Sequence, residues 1–238
     1  MQNKLKEKLM GQKKQMVIIS LMMIIFFNNI LFSQTEYNLT EIDQKTIIEL
    51  DAISDGADKV IIAQPLESFD RADLRVYERI DNVWILRYNT EGFFGRNGVK
   101  MDKEEGDGAT PLGVFTFGRA FGIAENPGSI LTYTQVSEND VWVDDVNSKY
   151  YNQWSFLDNP DLDWSSAEHL INYPIQYKYV LSINYNTNPI IPGKGSAIFL
   201  HCSADRPTAG CIAVSEEAML FFLGFVDENT KIGIFMDN

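Results

Sequence analysis

Gly195-Ser-Ala-Ile-Phe-Leu-His201-Cys-Ser-Ala-Asp-Arg-Pro-Thr-Ala-Gly-Cys211-Ile-Ala-Val-Ser215 is the stretch that decides how this chain folds and where its chemistry lies. Ser196–His201 is largely apolar and reads as a central strand. Pro207 and Gly210 mark a loop behind it. Cys211 opens a new element. Ser215 caps a helix over Ser215–Phe225 whose Ala218, Phe221, Phe222 and Phe225 fall on one apolar face. The strand delivers His201 at its end, and the loop is long enough to carry Cys211 back beside it.

That pair has a chemical reading and several plain ones. A free cysteine, with a pKa of ~8.5, is mostly thiol at neutral pH. A neighbouring imidazole takes the proton and holds the thiolate as an ion pair. Gly210 lets the backbone close on a substrate, and the amides of Gly210 and Cys211 can face a developing oxyanion. In the plain readings, Cys202 and Cys211 form a disulfide, or His201 is a structural histidine. Alternation along a strand separates these ideas. If His201 faces a site, Cys202 faces the core and lies out of reach of Cys211. A metal site drawn from His169, His201, Glu168 and Asp144–Asp145 has no diagnostic spacing, and two cysteines and two histidines are too few for a structural zinc framework. No metal or organic cofactor is expected.

Working outward, Val60–Ala63, Val114–Phe117, Val141–Val143 and Lys231–Met236 are short strand candidates. Leu74–Ile80 and Val83–Tyr88 pair across a turn at Asp81–Asn82. Tyr179–Tyr185 places Tyr179, Leu181, Ile183 and Tyr185 on one face, the period of a half-buried strand. Gly92–Gly98 and Glu104–Gly113 are loops, and the latter lacks the Gly-Lys-Ser/Thr ending of a phosphate loop. Many short strands with few helices indicate a mainly β domain, a sandwich or a barrel.

Residues 1–33 combine five lysines, an apolar run from Met16 to Phe27 and a small residue, Ser33, before a polar stretch. These are the parts of a secretory signal peptide. The rival is an uncleaved anchor, for which the apolar run is short of the ~20 residues a span needs. Residues 34–58 read as a polar lead-in with a helical pattern at Thr46–Ala52, and 59–238 as the functional domain. The 238 residues carry a net charge of −13, which becomes −17 once 1–33 is removed. Such an acidic chain lacks the basic face that nucleic acid requires.

Five further segments, in order, complete a pattern. Gly195–His201 with Thr208–Cys211, preceded by Gly95–Gly98, Glu105–Phe115, Trp142–Asp145, Tyr151–Asn152 and Ala167–Leu170, together resemble the catalytic core of the L,D-transpeptidase (YkuD-type) family. The resemblance covers roughly residues 60–238. It implies a β-sandwich-like catalytic domain. It also implies attack by a cysteine on the bond between the third and fourth residues of a peptidoglycan stem. The terminal D-amino acid leaves, and an amine of another stem, or water, resolves the acyl-enzyme. Carried over, Cys211 is the nucleophile, His201 its base and the Cys202 carbonyl the group that orients the ring. The amides of Ala209, Gly210 and Cys211 hold the oxyanion. The chain diverges from the family's Ser-His-Gly-Cys and following Arg: it has Thr208-Ala-Gly-Cys211 and then Ile212-Ala213.

Arg96 and Arg206 in the site loops, with Thr208, Glu168 and His169, are candidate substrate contacts. Glu168 and His169 are adjacent, so at most one of them faces a cleft. The expected partners are peptidoglycan stem peptides, with no nucleic acid and with membrane contact only through an uncleaved N-terminus. The expected location is the periplasm or cell envelope. Transfer is one reading. Hydrolysis of stems by a carboxypeptidase is the second, and a non-catalytic envelope-binding protein on the same fold is the third.

Overall fold

The computed structural model describes residues 42–236, so the signal segment expected at 1–33 lies outside the described residues. The described part of the lead-in is the helix α1 (Gln44–Ser54), whose first turn is capped by the Asp43 carboxylate accepting from the Thr46 amide. Fourteen strands follow. They are β1 (Lys59–Pro65), β2 (Arg71–Ile80), β3 (Val83–Phe93), β4 (Val99–Lys100), β5 (Thr110–Pro111), β6 (Gly113–Gly122) and β7 (Tyr133–Gln135). Then come β8 (Asp140–Val143), β9 (Gln153–Phe156), β10 (Ala167–His169), β11 (Val180–Ile183), β12 (Phe199–Cys202), β13 (Ile212–Val214) and β14 (Lys231–Ile234). A second helix, α2 (Glu216–Phe225), joins the last two strands.

The mainly β class is what the sequence led us to expect. Nine strands form one sheet in the order β11-β12-β13-β3-β2-β1-β14-β6-β7. β6 pairs along its length with two partners of that circuit: Gly113–Thr116 with β14, and Phe117–Phe121 with β11. The pairing therefore runs round a closed circuit and folds the sheet over one apolar interior. Ile61, Leu74, Val76, Leu200, Ile212 and Val214 fill it from the strands, and Met219 and Phe222 fill it from α2. Each such side chain contributes about 1.5–3 kcal/mol on burial. A second apolar cluster lies on the other face of β12 and holds Phe121, Trp142, Leu170, Tyr177, Phe199 and Cys211.

Three local results follow from this packing. The β2–β3 turn falls at Asp81 and Asn82, both with positive φ (50° and 63°), the geometry that a two-residue hairpin favours. β11 is buried on both faces rather than one, because it lies between β6 and β12 and separates the two apolar clusters. β12 begins at Phe199 rather than Ser196, because Ala197 adopts φ 52° and breaks the extended run.

Helix α2 depends on its first turn. Ser215 Oγ accepts from the Ala218 amide at 3.1 Å, and Ala218, Met219 and Phe222 are fully buried. Ser215→Ala removes the cap but none of the apolar face. We expect urea denaturation to show a loss of about 1 kcal/mol. An unchanged midpoint would mean that packing alone sets the start of the helix.

Candidate functional site

β12 and β13 are parallel neighbours, with Leu200 opposite Ile212 and His201 opposite Ala213. Alternation then sorts their side chains. Leu200, Cys202, Ile212 and Val214 enter the main core. Phe199, His201 and Cys211 take the opposite face. Cys211 lies one step before β13, so it is a diagonal neighbour of His201 on that face. Both cysteines are free thiols, and Cys202 is 3 % exposed in the core. The loop between the strands is clasped to the end of β3: the Arg96 amide donates to Thr208 O, and the Thr208 amide donates to Phe94 O.

The His201 ring is held from both sides. Its Nδ1 lies 2.8 Å from the Cys202 carbonyl oxygen. A carbonyl can only accept, so Nδ1 carries the proton and Nε2 presents a lone pair. Burial pushes the ring pKa down to about 4, against a weaker opposite pull from that carbonyl, so the ring is neutral at neutral pH. The edge of Tyr177 packs against it at 5.7 Å between centroids.

The Cys211 thiol is equally constrained. Its sulfur donates to Ala197 O at 3.2 Å and accepts from the Phe199 amide at 3.4 Å, so its hydrogen bonds go to backbone and not to the ring. Burial pushes its pKa up to about 12, and the charge of Glu168 adds to that rise. The Phe199 amide and Lys103 work in the other direction. At rest the site thus holds a neutral thiol and a neutral imidazole on one face.

Both groups line a groove of about 540 Å³. Its wall includes Glu168, Glu105 and Asp144, with Arg96 and Arg206 also on it. Of the adjacent pair on β10, Glu168 lines the groove, whereas His169 is exposed and lies away from the lining. Tyr177 Oη donates to Glu168 Oε1 at 2.6 Å. Burial still lifts the Glu168 carboxyl from 4.5 to about 7, and the nearby charges of Asp144 and Glu105 add to the rise. Thr208 is a loop organiser: its Oγ1 donates to Cys211 O at 2.6 Å and accepts from the Gly210 amide at 3.0 Å. The Gly210 N–H is therefore already engaged, while Ala209 is exposed at the groove.

Sequence reasoning missed several groups that shape the site. Asn152, at φ 56°, accepts from the Trp142 indole and the Ala197 amide, both at 3.0 Å, and so anchors the residue whose carbonyl accepts from the thiol. Thr110 Oγ1 donates to Cys211 O and accepts from the Gly95 amide. Tyr177 gave no signal at all, since a tyrosine between two short turns looks like any surface aromatic. Asn152 and Thr110 lie within segments that carried the family pattern, which was their only sequence signal. Trp142 and Trp164 are buried packing residues.

Glu168 makes stability depend on pH in a way that can be checked. Its folded pKa lies above its unfolded value, so its contribution is fully present below 4.5 and is lost as pH rises through about 7. Glu168→Gln keeps an acceptor for Tyr177 but cannot ionise. We expect it to raise the melting temperature in mildly alkaline buffer and to leave it unchanged below pH 4.5. An equal offset at both pH values would contradict the assignment.

With this geometry in place, comparison with known proteins adds one firm result. No curated relative matches the chain. The family model described as the YkuD L,D-transpeptidase catalytic domain matches residues 70–234, which span the strands from β2 through β14, the groove and both site residues. The chain belongs to the L,D-transpeptidase catalytic domain family.

Proposed function

We propose that this chain is an exported cysteine acyltransferase acting on peptidoglycan stem peptides, with Cys211 as the nucleophile and His201 as its base. One observation carries the reading. A histidine with its Nε2 lone pair unclaimed by the orienting carbonyl shares one face of two parallel strands with a free thiol, in a groove of an L,D-transpeptidase-family domain.

The chemistry follows from the neutral resting pair. A stem enters the groove, and the thiol turns from Ala197 O toward His201 Nε2. The ring takes the proton as the sulfur attacks the carbonyl of the third stem residue. The oxyanion is met by the amides of Ala209 and Cys211, because the Gly210 amide is engaged by Thr208. The carbon–nitrogen bond breaks, the imidazolium returns its proton to the leaving amine, and the terminal D-amino acid departs. An acceptor amine then attacks the thioester, His201 takes the proton of that amine, and the thiol is restored. Arg96 and Arg206 give the groove two guanidinium groups suited to a stem carboxylate. They supply the local positive charge that a chain of net charge −13 does not offer an anionic peptide at long range.

The test uses the full chain with muropeptides and an added amine. We expect Cys211→Ala to abolish product and His201→Ala to slow it at least about 100-fold. An unaltered product profile in Cys211→Ala would overturn the reading. The products also separate the two acceptors: an amide conjugate marks transfer, and a free tripeptide marks hydrolysis.

A further inference from the structure

Lys103, between β4 and β5, is only 2 % exposed, an uncommon place for an ammonium. Its route is cut by two glycines. A methyl group on Gly195 would meet Lys103 Cε at 2.8 Å, and one on Gly210 would lie 3.5 Å from Lys103 Nζ. Both glycines have positive φ, +102° and +151°, which disfavours side chains there by conformation; at Gly195 the lysine also fills the space, whereas at Gly210 the close neighbour is Ala109 O at 3.1 Å. The lysine therefore threads past the segment before β12 and ends beside the residue preceding Cys211. There its Nζ donates to Asp107 Oδ1 at 2.8 Å, and Asp107 is anchored in turn by the amides of Glu104 and Ala109. A buried ion pair adds little to stability compared with apolar packing. Its position against the Gly210–Cys211 peptide calls for another explanation.

We infer that Lys103 is the positioning cation of the nucleophile: its ammonium, held beside Gly210, favours negative charge on the Cys211 sulfur and on the oxyanion formed at the neighbouring amides. This rests on the reading of Cys211 as the nucleophile. The other groups around the thiol do not supply that charge. His201 on β12 is neutral. Tyr177 is held in its protonated form and donates to Glu168. Glu168 on β10 opposes a thiolate, whereas Lys103 favours one. Of the remaining charged groups on the groove, Glu105 is pinned by Tyr151 and Ser196, and Asp144, Arg96 and Arg206 complete the lining.

The test is the rate of Cys211 alkylation by iodoacetamide in the full chain, followed from neutral to alkaline pH with the labelled peptide identified by mass spectrometry. Lys103→Met is expected to slow labelling about tenfold at each pH, a displacement of the profile by about one pKa unit. It is expected to lower kcat for stem turnover by a similar factor with little change in KM. Lys103→Met combined with Asp107→Asn removes both members of the buried pair and leaves only the half-exposed Lys100, the other partner of Asp107, in solvent; it is expected to displace the profile in the same direction but by less, because loss of the carboxylate offsets part of the loss of the ammonium. Circular dichroism shows which variants are folded. An unmoved profile in either folded variant overturns the role of Lys103. If turnover is still lost in Cys211→Ala, that failure leaves the nucleophile reading intact. Turnover that survives Cys211→Ala overturns the nucleophile reading itself.

Discussion

Everything at the groove depends on the parallel register of β12 against β13. Leu200 and Cys202 on one strand, and Ile212 and Val214 on the other, are buried in the main core, so neither strand can slip without turning apolar side chains toward the groove. The same register leaves His201 and Cys211 as diagonal neighbours on the opposite face. The functional pair is placed by the core residues that flank its members on the two strands and not by any bond of its own. The clasp from Thr208 to Phe94 and Arg96 then fixes the return loop, and Thr110 and Thr208 together hold the Cys211 carbonyl.

A second constraint is the scarcity of solvent at the site. His201 and Cys211 are 5 % and 9 % exposed, so burial penalises charge on both. A standing thiolate–imidazolium pair is therefore disfavoured before substrate arrives. The thiol is parked on the Ala197 carbonyl, and the amide of the same residue is anchored on Asn152. In the proposed mechanism, proton transfer and attack are coupled, and negative charge develops only where amides and a buried ammonium face it. This is the economy expected of preorganised dipoles in a dry site.

The sequence made the β-rich class legible because short apolar runs alternate with turn residues, and the Asp81–Asn82 hairpin shows how direct that signal can be. The helix Glu216–Phe225 was legible for the same reason, with its serine cap and one apolar face. Where the reading fell short, tertiary packing was the cause. β11 looked one-sided because Tyr179, Leu181, Ile183 and Tyr185 recur at every second position, yet it is enclosed on both faces by a circuit that periodicity cannot show. The placement of His201 and Cys211 on one face followed from alternation and loop length. Lys103 could not be found this way. A lysine in a Gly- and Asp-rich loop reads as solvated, and only the folded chain brings Gly195 and Gly210 around it.

The most direct measurement is the intact mass of the full chain, quenched in acid during turnover of a tetrapeptide stem, with the modified residue mapped by fragmentation. The account requires a covalent adduct of the stem tripeptide acyl group on Cys211, formed much more slowly when His201 is replaced. Turnover with no adduct, or with an adduct on any other residue, would contradict it.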